Sequence, residues 1–172
     1  MGPTLRKLAL TAHVAASVGW LGAVAAFLAL ALVGLAGRDA MAVRGAYLAM
    51  APLAWSVIVP LCLASLATGL VQSLGTPWGL FRHYWVVVKL AITVVSTLLL
   101  VAHMQAIDRI AGAAAQPGFS PADHLPVRVQ MAVASGAAVG ALLVATALSV
   151  FKPRGLTPYG VRRLRREREA AP

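Results

Sequence analysis

Acidic residues are scarce in this 172-residue chain, with five Asp and Glu against 15 Lys and Arg and a net charge of +10. There is a single cysteine, Cys62, so no intrachain disulfide can form and cysteine usage does not identify a redox compartment. Aromatic residues make up only 6%. They do not interleave with the basic residues and no folded basic domain is evident, so nucleic acid is not an expected partner. Internal repeats and low-complexity linkers are also missing, which disfavours a secondary transporter built from repeated halves.

What the chain has in quantity is apolar sequence. At 60% hydrophobic residues and a mean hydropathy of +0.81 it lies outside the range of soluble globular proteins. Leu8 to Gly37, Gly45 to Phe81 and Val129 to Phe151 contain no Asp, Glu, Lys or Arg, and Tyr84 to Ile107 contains only Lys89. Each exceeds the roughly 20 residues that cross a bilayer as a helix. The alternating pattern of barrel strands is absent. The expectation is a single-domain, all-α, four-transmembrane-helix up-and-down bundle. Its helices are placed at about 4–36, 39–74, 84–110 and 127–151, with a basic tail over 152–172. The first apolar run is too long for the core of a cleavable signal peptide and is expected to remain as a span.

Local signals refine this layout. Asp39 is placed to cap the second helix, and Ser120-Pro121-Ala122-Asp123 reads as a helix start. Pro52 and Pro60 lie inside the second span. Pro60 withholds an N–H from the carbonyl of Ser56, so a kink is expected there. Pro153 and Gly155 end the last span, and Trp78, Tyr84 and Trp85 fall at interface depth. Ala15, Gly19, Gly22 and Ala26, and Gly136 with Gly140, recur at helical spacing that permits close helix contact. Cys62 reads as a small packing residue.

Basic residues set the orientation. The two termini and the loop between the second and third spans hold ten: Arg6, Lys7, Arg82, Lys152, Arg154, Arg162, Arg163, Arg165, Arg166 and Arg168. The other side holds four: Arg38, Arg44, Arg109 and Arg128. Both termini are therefore expected in the cytoplasm. The tail is expected to meet anionic lipid headgroups.

Three ionisable residues fall at membrane depth: His13, Lys89 and His103. Such groups default to functional readings, because a charge there costs at least ~2.5–3.5 kcal/mol. His13 follows Lys7, and Lys89 follows Arg82, by nearly equal distances, which puts both about 9–10 Å in from the terminal side. His103 lies roughly 21 Å beyond Lys89. Lys89, Thr93, Ser96 and His103 share a helix face; Thr11 and Ser17 flank His13; Ser65, Thr68 and Gln72 form a stripe on the second span. Lys89 reads either as snorkelling to the surface or as functional, and His103 as an interfacial histidine. His83 and His124 are expected in solvent-exposed loops. His13 is too short to snorkel and requires a buried partner.

A neutral imidazole suits haem iron held between bundle helices. His13 is the candidate ligand, with Trp20 nearby. Lys89 serves as a ligand when deprotonated or as partner to a haem propionate, and His83 as a second ligand if the third helix starts early. The depth of His103 argues against its sharing one iron with His13. A weaker alternative is copper: Met41, Met50, Met104 and Met131 fall towards the same side as His103, and thioether with imidazole suits Cu(I).

The stretches KLALTAHVAASVGWLGAVAAF and IVPLCLASLATGLVQSLGTPWGLFRHYWVVVKL resemble a family of predicted four-helix bacterial integral membrane proteins. More distantly the chain is similar to the copper-resistance D type and to the HemJ-type protoporphyrinogen oxidases. In the latter, a first-helix histidine precedes a tryptophan and glycines, as His13 precedes Gly19, Trp20 and Gly22. A third-helix tryptophan and lysine match Trp85 and Lys89, and a final Lys-Pro pair matches Lys152 and Pro153. Their histidine two residues before the lysine is Val87 here, and LAGRDAMAV has none. The resemblance implies a multi-pass protein of the bacterial inner membrane with haem b bound through the first-helix histidine and third-helix lysine, and with oxidoreductase activity. A redox partner or a homo-oligomer would accompany it. The rival expectation is a non-catalytic membrane component, either a copper-handling helper or an accessory subunit, with His13 hydrogen-bonded to a neighbouring helix.

Overall fold

The computed structural model describes residues 2–75, 79–153 and 155–169, so Trp78 and Arg154 lie outside the described residues. Four helical stretches are long and apolar enough to cross a membrane. They are α1 (Pro3–Ala36), a composite of α2 (Ala40–Leu53), a π turn (Ala54–Ile58) and α3 (Val59–Gly75), then α4 (Tyr84–Ala115), and α5 (Leu125–Phe151) preceded by a 3-10 turn (Pro121–His124). A short α6 (Pro158–Glu169) follows, and no strand forms among the described residues. Large apolar side chains such as Leu8, Val18, Leu98 and Val133 stay exposed on the helix flanks, as lipid-facing positions require.

Helix ends follow from local chemistry. Asp39 caps α2 as expected, its carboxylate accepting from the backbone N–H of Met41 and Ala42 at 3.2 Å each. Helix α4 continues past the expected Ile110 to Ala115, because this alanine-rich stretch favours helix and Ala111 and Ala114 are buried. It stops at Gln116, whose extended backbone is what the following Pro117 imposes. Residues 121–124 form a separate 3-10 turn rather than the first turn of α5, and the Ser120 side chain makes no cap bond. Helix α5 starts at Leu125, ahead of the expected position. It ends on Lys152, whose φ of 43° places a lysine in the left-handed cap usually filled by glycine. The break expected at Pro60 takes the form of the π turn just upstream, where the Val59 N–H donates to the carbonyl of Ala54. The widened turn absorbs the register change that a residue without an N–H imposes.

Successive spans are neighbours around the bundle. Helix α1 packs on α2, α3 and α5, while α4 packs on α2 and α5 and only lightly on α3. This is up-and-down order, with α1 diagonal to α4. The end carrying Pro3, Gly75, Tyr84 and Phe151 is termed here the terminal end, and the opposite one the far end. The core fills the far half: Phe27 and Ala31, Tyr47 and Met50, Ile107 and Ile110, and Met131 belong to one buried cluster. Between Val86 and Met104 no residue of α4 is buried, so this helix leaves the bundle's interior loosely covered in the terminal half.

Two features tie the ends. At the far end Arg128, which the sequence reading counted only as an orientation charge, is buried without a carboxylate. Its Nε donates to Tyr47 Oη at 2.9 Å, Nη1 to the Pro121 carbonyl at 2.9 Å, and Nη2 to the carbonyls of Gly34 and Leu35 at 2.7 and 3.0 Å. Carbonyls at a helix C-terminus carry partial negative charge, so the last turn of α1 supplies the counter-charge. Gly34 is required there, since a Cβ would come within 2.5–2.8 Å of the Tyr47 ring and hydroxyl. By contrast Gly22 and Gly140, expected to mediate helix contact, face open space, and of that set Gly19 packs closely, against Leu61.

At the terminal end the tail is not simply a lipid-facing appendage. The Thr157 N–H donates to the Arg82 carbonyl at 3.0 Å and the Tyr84 N–H to that of Gly155 at 3.3 Å. An isolated antiparallel bridge joins His83 to Leu156. Arg82 pairs with Glu167 at 3.2 Å. Gly160 presses on the Arg82 carbonyl so closely that any Cβ would collide with it. Helix α6 is thereby held against the α3–α4 connection with Arg162, Arg165, Arg166 and Arg168 exposed.

Replacing Arg128 by Met orphans three carbonyls and a hydroxyl; at ~1–3 kcal/mol for a buried unsatisfied group, a loss of about 2–4 kcal/mol is expected, read as a lowered Tm in mild detergent. An unchanged Tm would contradict the clamp. Gly160→Val is expected to undock α6 and to raise the rate of tryptic cleavage at the tail arginines about tenfold, as loss of ~1.4 kcal/mol of docking implies. Equal cleavage rates in the two proteins would show that α6 is not held.

Candidate functional site

In the terminal half, helices diverge around a cavity of about 720 Å³. This is within the ~300–1,000 Å³ typical of ligand and cofactor pockets. Its walls come from α1, α3, α4 and α5, and its apolar part includes Leu10, Val14, Leu70, Leu90 and Leu142. Trp20, which is buried, and Trp85 also line it. The cavity exists because α4 lies closely against α2 but only lightly against α3.

His13 stands on the cavity wall with both ring nitrogens engaged. Nδ1 lies 3.0 Å from Thr68 Oγ1, and Nε2 lies 3.2 Å from Lys89 Nζ. The direction of these bonds follows from Thr68, whose hydroxyl proton is directed to the carbonyl of Ala64 at 2.6 Å. With that proton used, its oxygen accepts from His13, which assigns the ring proton to Nδ1. The Nε2 lone pair is left to accept from Lys89. The chain Lys89 to His13 to Thr68 to Ala64 is thus consistent in every donor and acceptor. It links α4, α1 and α3, and the long lysine side chain closes the diagonal of the bundle.

The surroundings hold this arrangement in place. Gly69 permits the close approach of the imidazole, since a Cβ there would lie 3.1 Å from His13 Cε1. Ser17 and Ser65 bond to each other at 2.8 Å across α1 and α3, one turn deeper. Thr93 returns its hydroxyl to the Lys89 carbonyl at 2.9 Å, a common way to satisfy a hydroxyl in an apolar medium. Cys62 is buried and packed as expected, with Sγ 3.1 Å from Thr97 Oγ1.

Of the residues singled out in the sequence, His13, Lys89 and Trp20 meet at one cavity, together with Ser17, Ser65, Gln72 and Thr93. The equal depths obtained by counting residues are realised as a direct contact, and Lys89 points inward rather than snorkelling outward. Thr11 does not join the site; it is exposed and bonds back to the Lys7 carbonyl at 3.0 Å. His83 precedes the first residue of α4 and does not line the cavity; its ring stands 6.4 Å from that of Trp85. His124 is half-buried rather than free in solvent, stacked on Phe119 with ring centroids 5.7 Å apart. His103 Nδ1 is 2.7 Å from the carbonyl of Leu99 on its own helix. Met104 is buried in the far-end cluster with Met50 and Met131, whereas Met41 is 82% exposed. His103 itself is only partly buried.

Three contributors escaped the sequence reading. Gly69 carries no chemistry that would mark it, and its meaning appears only with the ring packed on it. Arg6 was counted as an orientation charge, and Lys152 as that and as half of a Lys-Pro pair, yet both line the cavity. Among the described residues no group of three or more His, Cys, Asp and Glu is placed to hold a metal ion. A haem would ask for less, one or two axial ligands; His13 is the one histidine on the cavity wall among the described residues, and its Nε2, bonded here to Lys89, is the atom that would have to supply the bond. Compared with known proteins, the chain matches no family model, no curated protein and no solved structure.

The tautomer is open to test by ¹⁵N NMR of histidine-labelled protein in detergent. The His13 signal is expected to show a protonated Nδ1 and a non-protonated Nε2, and Thr68→Val is expected to mix the two tautomers. A protonated Nε2 in the unaltered protein would contradict the assigned chain.

Proposed function

We propose that this is a small multi-pass membrane protein, with both termini in the cytoplasm, that binds haem b within the bundle for electron transfer or porphyrin oxidation. The observation that carries the reading is the His13 imidazole on the wall of a large cavity between the helices, with Nδ1 3.0 Å from Thr68 Oγ1 in an arrangement that suits the tautomer leaving Nε2 to ligate. Bound haem would supply one-electron exchange between ferric and ferrous iron. His13 would hold the iron. Lys89 occupies Nε2 and must release it for that purpose; its flexible stem lets the ammonium turn to a propionate, a stronger partner than a neutral ring. Trp20 and the cavity leucines would cover the macrocycle and exclude water. The similarity of His13, Trp20, Trp85 and Lys89 to the HemJ-type pattern supports the same reading.

One observation favours a second reading. With Nδ1 and Nε2 both bonded, His13 is already satisfied as a pin between three helices. A non-catalytic membrane component, such as an accessory subunit, needs nothing more from it. The copper-handling alternative is less favoured, because His103 Nδ1 is engaged by the Leu99 carbonyl of its own helix and Met41 is exposed while Met50, Met104 and Met131 are buried.

The absorbance spectrum of the purified protein decides between these. A Soret band is expected that is lost in His13→Ala and retained in His103→Ala. A protein that remains colourless after haem is supplied would overturn the haem reading and leave His13 as the structural pin.

A further inference from the structure

The terminal end of the cavity is charged in one sense. Arg6 from α1, Lys89 from α4 and Lys152 from the cap of α5 all line it, and among the described residues no Asp or Glu does. Gln72 lines the same space, and its Nε2 is buried with no hydrogen-bond partner. A buried amide donor of this kind calls for an acceptor. Farther in, Leu10, Val14, Leu66, Leu70 and Leu90 make the apolar part of the wall, beside His13, Ser17, Ser65 and Thr93. Cations and an orphan donor at the rim of a greasy cavity describe an amphiphile by its complement.

We propose that this end of the cavity is a recognition subsite for an oxyanion, carboxylate or phosphate, borne by an apolar molecule. Arg6 and Lys152 receive the anionic head at the rim, Gln72 donates its amide N–H, and the apolar body lies along the leucines. Lys89 joins the two halves of the site, because the same ammonium that faces the cavity holds His13 Nε2. An anion that draws Lys89 towards the rim releases Nε2. The carboxylates of a porphyrin are one head of this class, so the inference extends the reading above. It rests on charge and an unpaired amide, however, and needs no iron.

The test uses the full-length protein in mild detergent without haem. Quenching of tryptophan fluorescence is titrated with dibromostearate, with its uncharged methyl ester, and with a brominated phosphatidate; Trp20→Phe/Trp85→Phe, which removes both tryptophans of the lining, attributes the signal to the cavity. The acid is expected to bind at least about tenfold more tightly than the ester, the effect of one charge-assisted hydrogen bond. That preference is expected to vanish in Arg6→Gln/Lys152→Gln and to shrink in Gln72→Leu. Tighter binding of the phosphatidate than of the acid assigns the oxyanion to a lipid headgroup, and the reverse order assigns it to a carboxylate. An ester that binds as well as the acid, or a preference that survives the double variant, overturns the subsite. A colourless protein that still prefers the acid keeps the subsite and loses haem, while a Soret band with no such preference does the opposite.

Discussion

Inside a bilayer every polar atom must find its partner within the protein, and the Lys89–His13–Thr68 chain is where this bundle concentrates that demand. Three helices contribute one group each, and the directions of donation agree throughout. Neither residue would be tolerable alone: an unpaired imidazole or ammonium at this depth carries a desolvation cost that no side chain of its own helix offsets. The cavity beside the chain exists because α4 leaves α3 lightly packed there. Lys89 spans that space, so the contact that satisfies the part-buried ring also lies along the cavity wall.

The far end shows the opposite solution. There the interior is filled by Tyr47, Met50, Ile110 and Met131, and its one buried charge, Arg128, is neutralised by carbonyls rather than a carboxylate. Chain polarity explains the pairing. The C-terminus of α1 and the N-terminal turns of α5 meet at this end, so a guanidinium on α5 can reach the unsatisfied carbonyls of α1. The bundle is thus closely packed at the far end and leaves a cavity at the terminal end.

The tail belongs to the terminal end in more than sequence. Backbone hydrogen bonds from Thr157 and Tyr84, the bridge at His83 and Leu156, and the contact of Gly160 with Arg82 seat α6 on the α3–α4 connection. Arg82 thereby spends its charge on Glu167. The remaining exposed arginines of α6 keep the positive character that the orientation argument uses. Lys152, at the start of this segment, lines the cavity, so the turn that seats the tail also delivers a cation to the site.

The sequence by itself determined the four apolar helices, their order and most of their ends, because length, apolarity and capping are local properties of a chain in lipid. Asp39 as a cap is legible from one residue. The common depth of His13 and Lys89 is legible from counting, since rise per residue is fixed. Only the tertiary structure decided which faces meet. Thr68 and not Thr11 completes the histidine because rotation of α1 about its axis is set by packing along its whole length. His103 stands apart from His13 by depth, which counting along the helix already gives, and His83 because α4 begins only after it. Gly69, Arg128 and Lys152 acquire their roles only when another helix arrives against them, and helical spacing within one segment carries no information about that arrival.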